Sequence, residues 1–219
     1  MKIGVIIAMD VEYRQMRDLL HGDSGQLGSN QIVLWQCGIG KVNAAIGTMR
    51  LMAQHSPDCI VSTGLAGGID TSTQVMDIMA ASQSAYHDVW CGMGCELGQV
   101  QGLPTRFDAD KELLAAALNT QLPENQRLIS GLICTGDQFI TDREAQQTIK
   151  HNFADALACD MESAAIAHTC HIYNVPFLSL RLISDTPGNT DNHQQQWDQF
   201  LAAMCDRSFH FVKQFLEQV

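Results

Sequence analysis

The chain has 219 residues, of which 46% are hydrophobic and 17% charged, and its formal net charge at pH 7 is −11. This acidic balance opposes binding to nucleic acid or to an anionic membrane surface, because both attract Lys and Arg patches. The length suits a single α/β domain over residues 1–219, and no stretch reaches the roughly 18 consecutive apolar residues of a transmembrane helix.

The first predicted element is a strand over Lys2–Ala8, because a continuous apolar run is typical of a strand buried on both faces. Acidic residues Asp10 and Glu12 follow without a small-residue cleavage site, so we interpret the run as a strand and not as a signal peptide. A helix is predicted from here to about Leu20. Ligands of open α/β sheets bind beyond the carboxyl ends of strands, which puts Glu12 where catalytic groups lie. The alternative is a solvated carboxylate in the first turn of the helix.

Strands and helices then alternate along the chain, a pattern that predicts a three-layer α/β/α sandwich. The further predicted strands are Gln31–Cys37, Asp58–Ser62, Val75–Tyr86, Arg127–Cys134, Leu157–Cys159 and Phe177–Ile183. The further predicted helices are Val42–Met52, Asp108–Leu118 with Asp108 as its cap, Glu144–Phe153, Asp160–Tyr173 and Trp197–Val219.

Two glycine-containing segments follow predicted strands, where the backbone can approach a ligand closely. Gly38-Ile-Gly40-Lys41 lies between a strand and a helix, but Asn43 occupies the place of the third glycine of a dinucleotide fingerprint. The turn is therefore neither that motif nor a P-loop. Thr63–Gly68 holds three glycines. We predict a loop whose backbone N–H groups face a ligand, with a plain tight turn as the alternative.

The eight cysteines show no dense disulfide framework, and most lie in apolar runs, as small core residues do. This usage suits a reducing cytoplasm. Two short motifs, Cys91-x-x-x-Cys95 and His168-Thr-Cys170-His171, could suggest a metal site, but neither has a second pair at zinc-site spacing. We therefore predict no metal and no other cofactor. The cysteines are Cys37, Cys59, Cys91, Cys95, Cys134, Cys159, Cys170 and Cys205.

The segment Asp160-Met161-Glu162 stands between a short predicted strand and a helix. Asp160 has the character of an N-cap, and Glu162 falls in the first turn, where the helix dipole favours a carboxylate. Both residues could therefore serve only to start the helix. However, Glu12 and Asp185 also follow predicted strands, and carboxylates clustered in a cleft raise one another's pKa and suit acid/base catalysis.

Seven blocks spread over nearly the whole chain form a specific set in order and spacing. They are Met1–Glu12, Gly38–Val42, Ser62–Gly68, Tyr86–Asp88, Gly136–Ile140, Asp160–Glu162 and Arg181–Asp185. Together these blocks resemble the nucleoside phosphorylase/hydrolase superfamily and, within it, the 5′-methylthioadenosine/S-adenosylhomocysteine nucleosidase family. The resemblance implies a mixed central sheet, a homodimer, and an enzyme that hydrolyses the N-glycosidic bond to give adenine and a 5-alkylthio-ribose. It also implies a cytoplasmic role in methionine salvage.

The reaction of that family explains which residue types it needs, because its transition state is a ribosyl oxocarbenium cation with adenine leaving. By resemblance, Asp185 is the general acid at adenine N7, a role that requires a raised pKa. Glu12 deprotonates the attacking water, with Arg181 beside it. Glu162 grips the ribose hydroxyls and stabilises the positive charge on the ring.

The resemblance also implies residues that contact the substrate. Phe139 stacks on adenine, Ser184 orients the base, and Met161 packs under the ribose. Met9, Ile39 and Trp197 line the alkylthio pocket, although ordinary core packing is the alternative for these apolar residues. The full set is Met9, Ile39, Ala66, Gly67, Phe139, Ile140, Asp160, Met161, Ser184 and Trp197.

The chain departs from the family pattern in three places. Leu65 stands where the family has a serine that helps to hold the water network. Asp160 replaces a glutamate, which keeps the charge but shortens its reach. The irregular segment Val89–Pro104 diverges most, and in the family this region crosses the homodimer interface and closes the 5′ pocket of the neighbour. Irregular segments of this length are typically functional.

Three other functions remain open from the sequence. A phosphorylase related to purine nucleoside or uridine phosphorylases is disfavoured, because Ala8–Glu12 lacks the Gly and Arg that hold phosphate there, and its acidic residues repel the anion. Hydrolysis of another 5′-modified nucleoside, such as 6-amino-6-deoxyfutalosine, would use the same catalytic set. A non-catalytic nucleoside-binding protein is disfavoured because Glu12, Glu162 and Asp185 are all present.

Overall fold

A computed structural model describes residues 1–122, 126–185 and 209–219. Its strands are β1 (Lys2–Ile7), β2 (Ser24–Leu27), β3 (Asn30–Gln36), β4 (Cys59–Gly68), β5 (Ile78–Tyr86), β6 (Phe107–Asp108), β7 (Leu128–Thr135), β8 (Ala156–Asp160) and β9 (Phe177–Asp185). Its helices are α1 (Asp10–Leu20), α2 (Lys41–His55), α3 (Lys111–Asn119), α4 (Arg143–Asn152), α5 (Ser163–Tyr173) and a helical segment, α6, over 209–218.

The strands of the described chain pair into one mixed sheet in the order β2-β3-β1-β4-β8-β7-β5-β6. β9 lies off this path and pairs parallel with β4 and antiparallel with β5. Strands β4, β8, β7, β5 and β9 therefore form a closed ring, because each pairs with the next and β9 pairs with β4 again. Small and medium side chains from all five strands make one buried cluster: Ala66, Met79, Ala81, Ile133, Ala158 and Ile183.

Helices cover both faces of the sheet. Val5 of β1 belongs to the hydrophobic cluster that contains Met16 of α1 and Phe211 of α6. The next residue, Ile6, belongs to a second cluster, which contains Leu51 of α2 and residues of α5. Successive side chains of a strand point to opposite faces of its sheet. The predicted three-layer sandwich is therefore confirmed, and its mixed sheet with it. None of the described helices combines the length and the apolar character that crossing a membrane requires.

Two acidic residues predicted as N-caps do not occupy the N-cap position, although the Asp160 carboxylate does accept hydrogen bonds from the amide of Ser163, the first residue of α5, at 3.1 and 3.2 Å. Asp108 ends β6, where it pairs with Gln83 of β5, and the cap of α3 is Asp110, whose carboxylate accepts hydrogen bonds from two amides of the first turn at 3.0 Å. Asp160 ends β8 in register with Thr135 of β7, and Glu162 occupies the N-cap position of α5. In both cases a strand pairing places the acidic residue before the helix begins.

The loop predicted over Thr63–Gly68 is also wrong, because β4 continues to Gly68. Its last residues pair with β9 as far as Gly67 and with β8 at Gly67 and Gly68. The edge strand β2, which pairs with β3, was not predicted. The predicted irregular segment Val89–Pro104 contains neither helix nor strand. Of the predicted helix Trp197–Val219, residues 209–218 are helical, whereas its first part, with Trp197, lies outside the described residues.

Candidate active site

A cavity of about 460 Å³ lies at the carboxyl ends of β1, β8 and β9. Every predicted site residue that the structure describes lies in its wall, and Trp197 lies outside the described residues. The wall thus brings together Met9, Glu12, Ile39, Ala66, Gly67, Phe139, Ile140, Asp160, Met161, Glu162, Arg181, Ser184 and Asp185.

Glu12 is held in the first turn of α1 with only 2% of its surface exposed. Its Oε1 accepts a hydrogen bond from the amide of Leu65 at 3.0 Å, and its Oε2 accepts one from the amide of Met9 at 3.3 Å. Burial raises the pKa of Glu12 to about 7, and the positive charge of Arg181 opposes this shift. A carboxyl group with a pKa near neutrality is suited to accept a proton from water.

Gly64 on β4 leaves the space that the Glu12 carboxylate occupies. A Cβ atom on Gly64 would lie 2.9 Å from Glu12 Oε1, and the φ angle of this glycine is +152°. The glycine-rich segment therefore does bring a backbone N–H group, that of Leu65, to the site, although it is a strand. Because the contact with Glu12 uses the backbone of Leu65, it does not require a serine side chain at this position. The Leu65 side chain packs in the core.

The second acidic residue of the wall, Glu162, lies at the start of α5. Its Oε1 accepts a hydrogen bond from the amide of Gly40 at 2.9 Å, which comes from the turn before α2. Burial, followed by the negative charge of Asp160, raises the pKa of Glu162 to about 7. Two carboxyl groups at the starts of two different helices therefore titrate near neutrality in one cavity.

Arg181 and Asp160 form a buried ion pair in the same wall, with Arg181 Nε and an η nitrogen each 3.0 Å from Asp160 Oδ2. Arg181 also donates to Ser62 Oγ at 2.8 Å. Asp160 accepts further bonds from the hydroxyls of Thr135 at 2.6 Å and Ser163 at 2.5 Å. Asp160 therefore anchors the guanidinium group, which acts on Glu12 through its charge.

Asp185 is the last residue of β9 and also lies in the cavity wall. The Ser184 hydroxyl lies 2.7 Å from Asp185 Oδ1 and 3.1 Å from the carbonyl oxygen of Ala66. A Cβ atom on Gly67 would lie 3.4 Å from the same Asp185 oxygen. The bare backbone of β4 thus runs directly against this carboxyl group.

The remaining wall is apolar and opens to solvent. Met9, Ile39 and Met161 contribute side chains to the wall, and Ile39 and Phe139 are exposed. The cavity therefore has a polar floor of carboxyl groups and an apolar mouth, which fits a ligand with a hydrogen-bonding core and an apolar substituent.

Sequence reasoning missed several residues that position the predicted ones. Gly40 and Gly64 were predicted only to let the backbone approach a ligand, whereas Gly40 donates its amide hydrogen to Glu162 and Gly64 makes room for Glu12. The hydroxyls of Ser62 and Thr135 also support the ion pair of Arg181 and Asp160. Ser62 accepts a hydrogen bond from Arg181, and Thr135 donates one to Asp160. Their position in strands was the only indication of this role in the sequence. In the part of the chain that the structure describes, no group of three or more His, Cys, Asp or Glu side chains is arranged to hold a metal ion.

Comparisons with known proteins place this geometry among related folds. A family model described as the phosphorylase superfamily matches residues 2–217. The chain is 32% identical to 5′-methylthioadenosine/S-adenosylhomocysteine nucleosidase from Neisseria meningitidis in complex with methylthio-immucillin-A, with a TM-score of 0.93 over 100% of this chain and 99% of that one. It is 36% identical to the corresponding nucleosidase from Colwellia psychrerythraea in complex with adenine, with a TM-score of 0.92 over 100% and 95% of the two chains.

A third similar structure is that of a Helicobacter pylori nucleosidase variant in which an aspartate is replaced by asparagine, with 5′-methylthioadenosine in its active site. It is 25% identical to this chain, with a TM-score of 0.91 over 100% of this chain and 99% of that one. All three likenesses extend over the full length of the chain, including every element that contributes to the cavity.

Proposed function

Since the chain belongs to the phosphorylase superfamily and, within it, to the 5′-methylthioadenosine/S-adenosylhomocysteine nucleosidase family, we propose that it hydrolyses these two nucleosides. The products are adenine and a 5-alkylthio-ribose. The observation that carries the proposal is the convergence of Glu12, Glu162 and Asp185 on one cavity, with the first two carboxyl groups raised in pKa to about 7. Relatives that hold adenine or a nucleoside analogue at full-length similarity support it.

The proposed reaction breaks the bond between ribose C1′ and adenine N9. Asp185 gives its proton to adenine N7, so that the electron pair of the breaking bond leaves with a neutral base. Ionised Glu12 takes a proton from a water molecule, whose oxygen forms the new bond to C1′. Glu162 accepts hydrogen bonds from the ribose hydroxyls and stabilises the cationic ring in the transition state.

Water suits this site better than phosphate as the nucleophile. Within the described wall of the cavity, Arg181 is the only cationic side chain. Its donors are directed to Asp160, Ser62 and the carbonyl oxygen of Leu180. A phosphate ion near Glu12 would meet a carboxylate and no uncommitted positive charge, and would be repelled. The site therefore favours hydrolysis over phosphorolysis.

We also infer that two copies of the chain associate. Val42 and Ile46 lie one turn apart on α2, and both are exposed, as is Ile39 at the cavity mouth. Trp90 and Met93 are exposed on the irregular segment, whose Val89 and Val100 pack against the same cluster as α2. Exposed apolar residues around a substrate cavity suit an interface with a second copy that helps to close it.

The compartment and the pathway follow from the same proposal. Every cysteine in the described part of the chain is a free thiol, which suits the reducing cytoplasm. An enzyme that releases 5-methylthio-ribose from 5′-methylthioadenosine acts at the start of methionine salvage, because its product retains the methylthio group.

The proposal is tested by following adenine release from 5′-methylthioadenosine by chromatography, with and without phosphate. Parallel reactions contain S-adenosylhomocysteine, adenosine and inosine, and the Glu12→Gln variant serves as the inactive control. We expect release from the two thio-nucleosides that does not depend on phosphate. Release that requires phosphate, or that occurs from inosine alone, would contradict the proposal.

A further inference from the structure

The segment Gly136–Ile140 separates two cavities. Gln138 and Ile140 line the candidate active site and also a second cavity of about 400 Å³ on its other side. Phe139, between them, is 55% exposed. Ile140 packs against the cluster that contains Ile149 and Phe153, but there is space on both sides of the segment, so close packing sets its position only in part. The polar contacts at its start supply the remaining constraint.

Three residues from different parts of the chain meet at the start of the segment and form what we call the Lys41 network: Lys41 of α2, Asp88 after β5 and Asp137 of the segment itself. Lys41 Nζ lies 2.7 Å from both carboxylate oxygens of Asp88 and 3.7 Å from Asp137 Oδ2. The amide of Lys41 donates to Asp137 Oδ1 at 2.7 Å, and the amide of Asp137 donates to Asp88 Oδ2 at 3.0 Å. Although burial acts to raise the pKa of Asp88, the hydrogen bond from Lys41 lowers it below its ordinary value, so the Asp88 carboxyl group is ionised at neutral pH.

Two glycines fit the backbone tightly around this network. A Cβ atom on Gly136 would meet the ring of His87 and lie 3.1 Å from Asp88 Cγ, and a Cβ atom on Gly40 would lie 3.0 Å from Asp137 Oδ1. Gly40 also donates its amide hydrogen to Glu162. Gly40 and Lys41, at the start of α2, therefore connect Glu162, which is assigned to the ribose, with the segment Gly136–Ile140, which is assigned to the base.

We propose that Lys41 is a positioning residue that holds Gly136–Ile140 against the base of the bound nucleoside through Asp88 and Asp137. The proposal rests on the proposed function for the identity of the base, but not for the network itself. Without the ammonium group the segment can relax toward the second cavity, and Phe139 and Ile140 then withdraw from the base. Binding of the base weakens, while Glu12, Glu162 and Asp185 keep their places.

The test compares Lys41→Met, which keeps most of the apolar stem, with Lys41→Arg, which restores the charge. Lys150→Met is the matched control, because Lys150 pairs with Asp70 at similar exposure and contributes to neither cavity wall. We measure kcat and KM for 5′-methylthioadenosine, and the dissociation constant of adenine by calorimetry. For Lys41→Met we expect KM and the adenine dissociation constant to rise about tenfold, the loss of one charge-assisted hydrogen bond, with kcat within about threefold of wild type.

Lys41→Arg should recover most of the affinity, and Lys150→Met should match wild type in both constants. Unchanged adenine binding in Lys41→Met, or an equal loss in Lys150→Met at an equal unfolding temperature, would overturn the positioning role. A wild-type protein that binds adenine but releases none from any thio-nucleoside would overturn the proposed function alone. In that case weaker adenine binding in Lys41→Met would still support the Lys41 network.

Discussion

Asp185 is the residue at which binding and chemistry can be separated. Its Oδ1 lies 2.7 Å from the Ser184 hydroxyl, and an amide in its place could keep this contact but could not protonate adenine N7. For Asp185→Asn we expect turnover of 5′-methylthioadenosine to fall by about 10²–10⁴-fold, the usual contribution of a general acid. Adenine binding, measured by calorimetry, should stay within about tenfold of wild type. Undiminished turnover in this variant would remove Asp185 from the mechanism.

The pH dependence of the reaction follows from the pKa of Glu12, which burial raises to about 7. The proposed base acts only when it is ionised, so kcat/KM should decline as pH falls below about 7. Glu162 titrates in the same range, so the apparent pKa belongs to the pair and not to one residue. A pH–rate profile between pH 5 and 9 checks this, and a flat profile down to pH 5 would contradict the role of Glu12.

The same raised pKa values predict how the stability of the ligand-free protein depends on pH. Folding raises both carboxyl groups from the usual 4.5 to about 7, so between these pH values the folded state binds more protons than the unfolded chain. The free energy of unfolding should therefore fall as pH rises from about 4.5 to about 7, by up to about 3 kcal/mol per group. Urea unfolding at pH 5 and pH 8 measures the difference, and Glu12→Gln should reduce it. An equal difference in the free energy of unfolding between pH 5 and pH 8 in wild type and Glu12→Gln would show that Glu12 does not cause the pH dependence.

At the residue scale, the sequence was sufficient to predict which carboxylates line the cavity, but not which groups each of them bonds. Arg181 was expected beside Glu12, and its charge does act on Glu12, but the ion pair that holds its guanidinium group is with Asp160. That pairing depends on the register in which β9 and β8 flank β4, and register is a property of long-range strand pairing. No local pattern around Asp160 distinguishes a helix cap from a buried ion-pair partner, so its role could be assigned only from the fold.

At the element scale, strand β4 shows why its glycines were misread. Three glycines in Thr63–Gly68 suggested a loop that faces a ligand, or a tight turn, but in the strand each of them admits a neighbouring group. These groups are the Glu12 carboxylate at Gly64, the Asp185 carboxyl at Gly67 and the Thr73 side chain at Gly68. A strand interior that must pass close to functional side chains requires the same residue as a turn does. The composition of the segment alone could not separate these two uses.

Gly64→Ala tests this use of glycine. The added Cβ would lie 2.9 Å from Glu12 Oε1, so the carboxylate must move from the two amides that hold it. We expect turnover to fall by about 10²-fold, the cost of misplacing a catalytic group by about 1 Å. Gly25→Ala on the edge strand β2 is the control, because its nearest contact would be an ordinary 3.9 Å. Full activity in Gly64→Ala would show that Glu12 does not need its present position.

At the scale of the whole molecule, the alternation of strands and helices was sufficient to predict the three layers, because each local period is set by nearby residues. The closed ring of β4, β8, β7, β5 and β9 was not predictable in this way. It depends on β9 lying between β4 and β5, which are distant from it in sequence. This ring holds the ends of β8 and β9 against β4, which also pairs with β1, and so it creates the cavity in which the carboxylates meet.

The proposed homodimer gives a prediction for the assembled molecule. Val42 is 68% exposed on α2, next in the chain to the Lys41 network, so a charge there would be buried in the proposed interface at a cost of several kcal/mol. We expect Val42→Glu to shift the sedimentation coefficient from that of a dimer to that of a monomer. Because the partner helps to close the apolar mouth around the alkylthio group, KM for 5′-methylthioadenosine should rise by about tenfold or more, while adenine, which lacks that group, should bind with nearly unchanged affinity. Val75→Glu, at an exposed valine outside α2 and the irregular segment, should remain dimeric and active.

Two outcomes would contradict the role of the dimer. A wild-type protein that sediments as a fully active monomer would show that the chain does not associate. A monomeric Val42→Glu variant with wild-type KM would show that the cavity is complete within one chain.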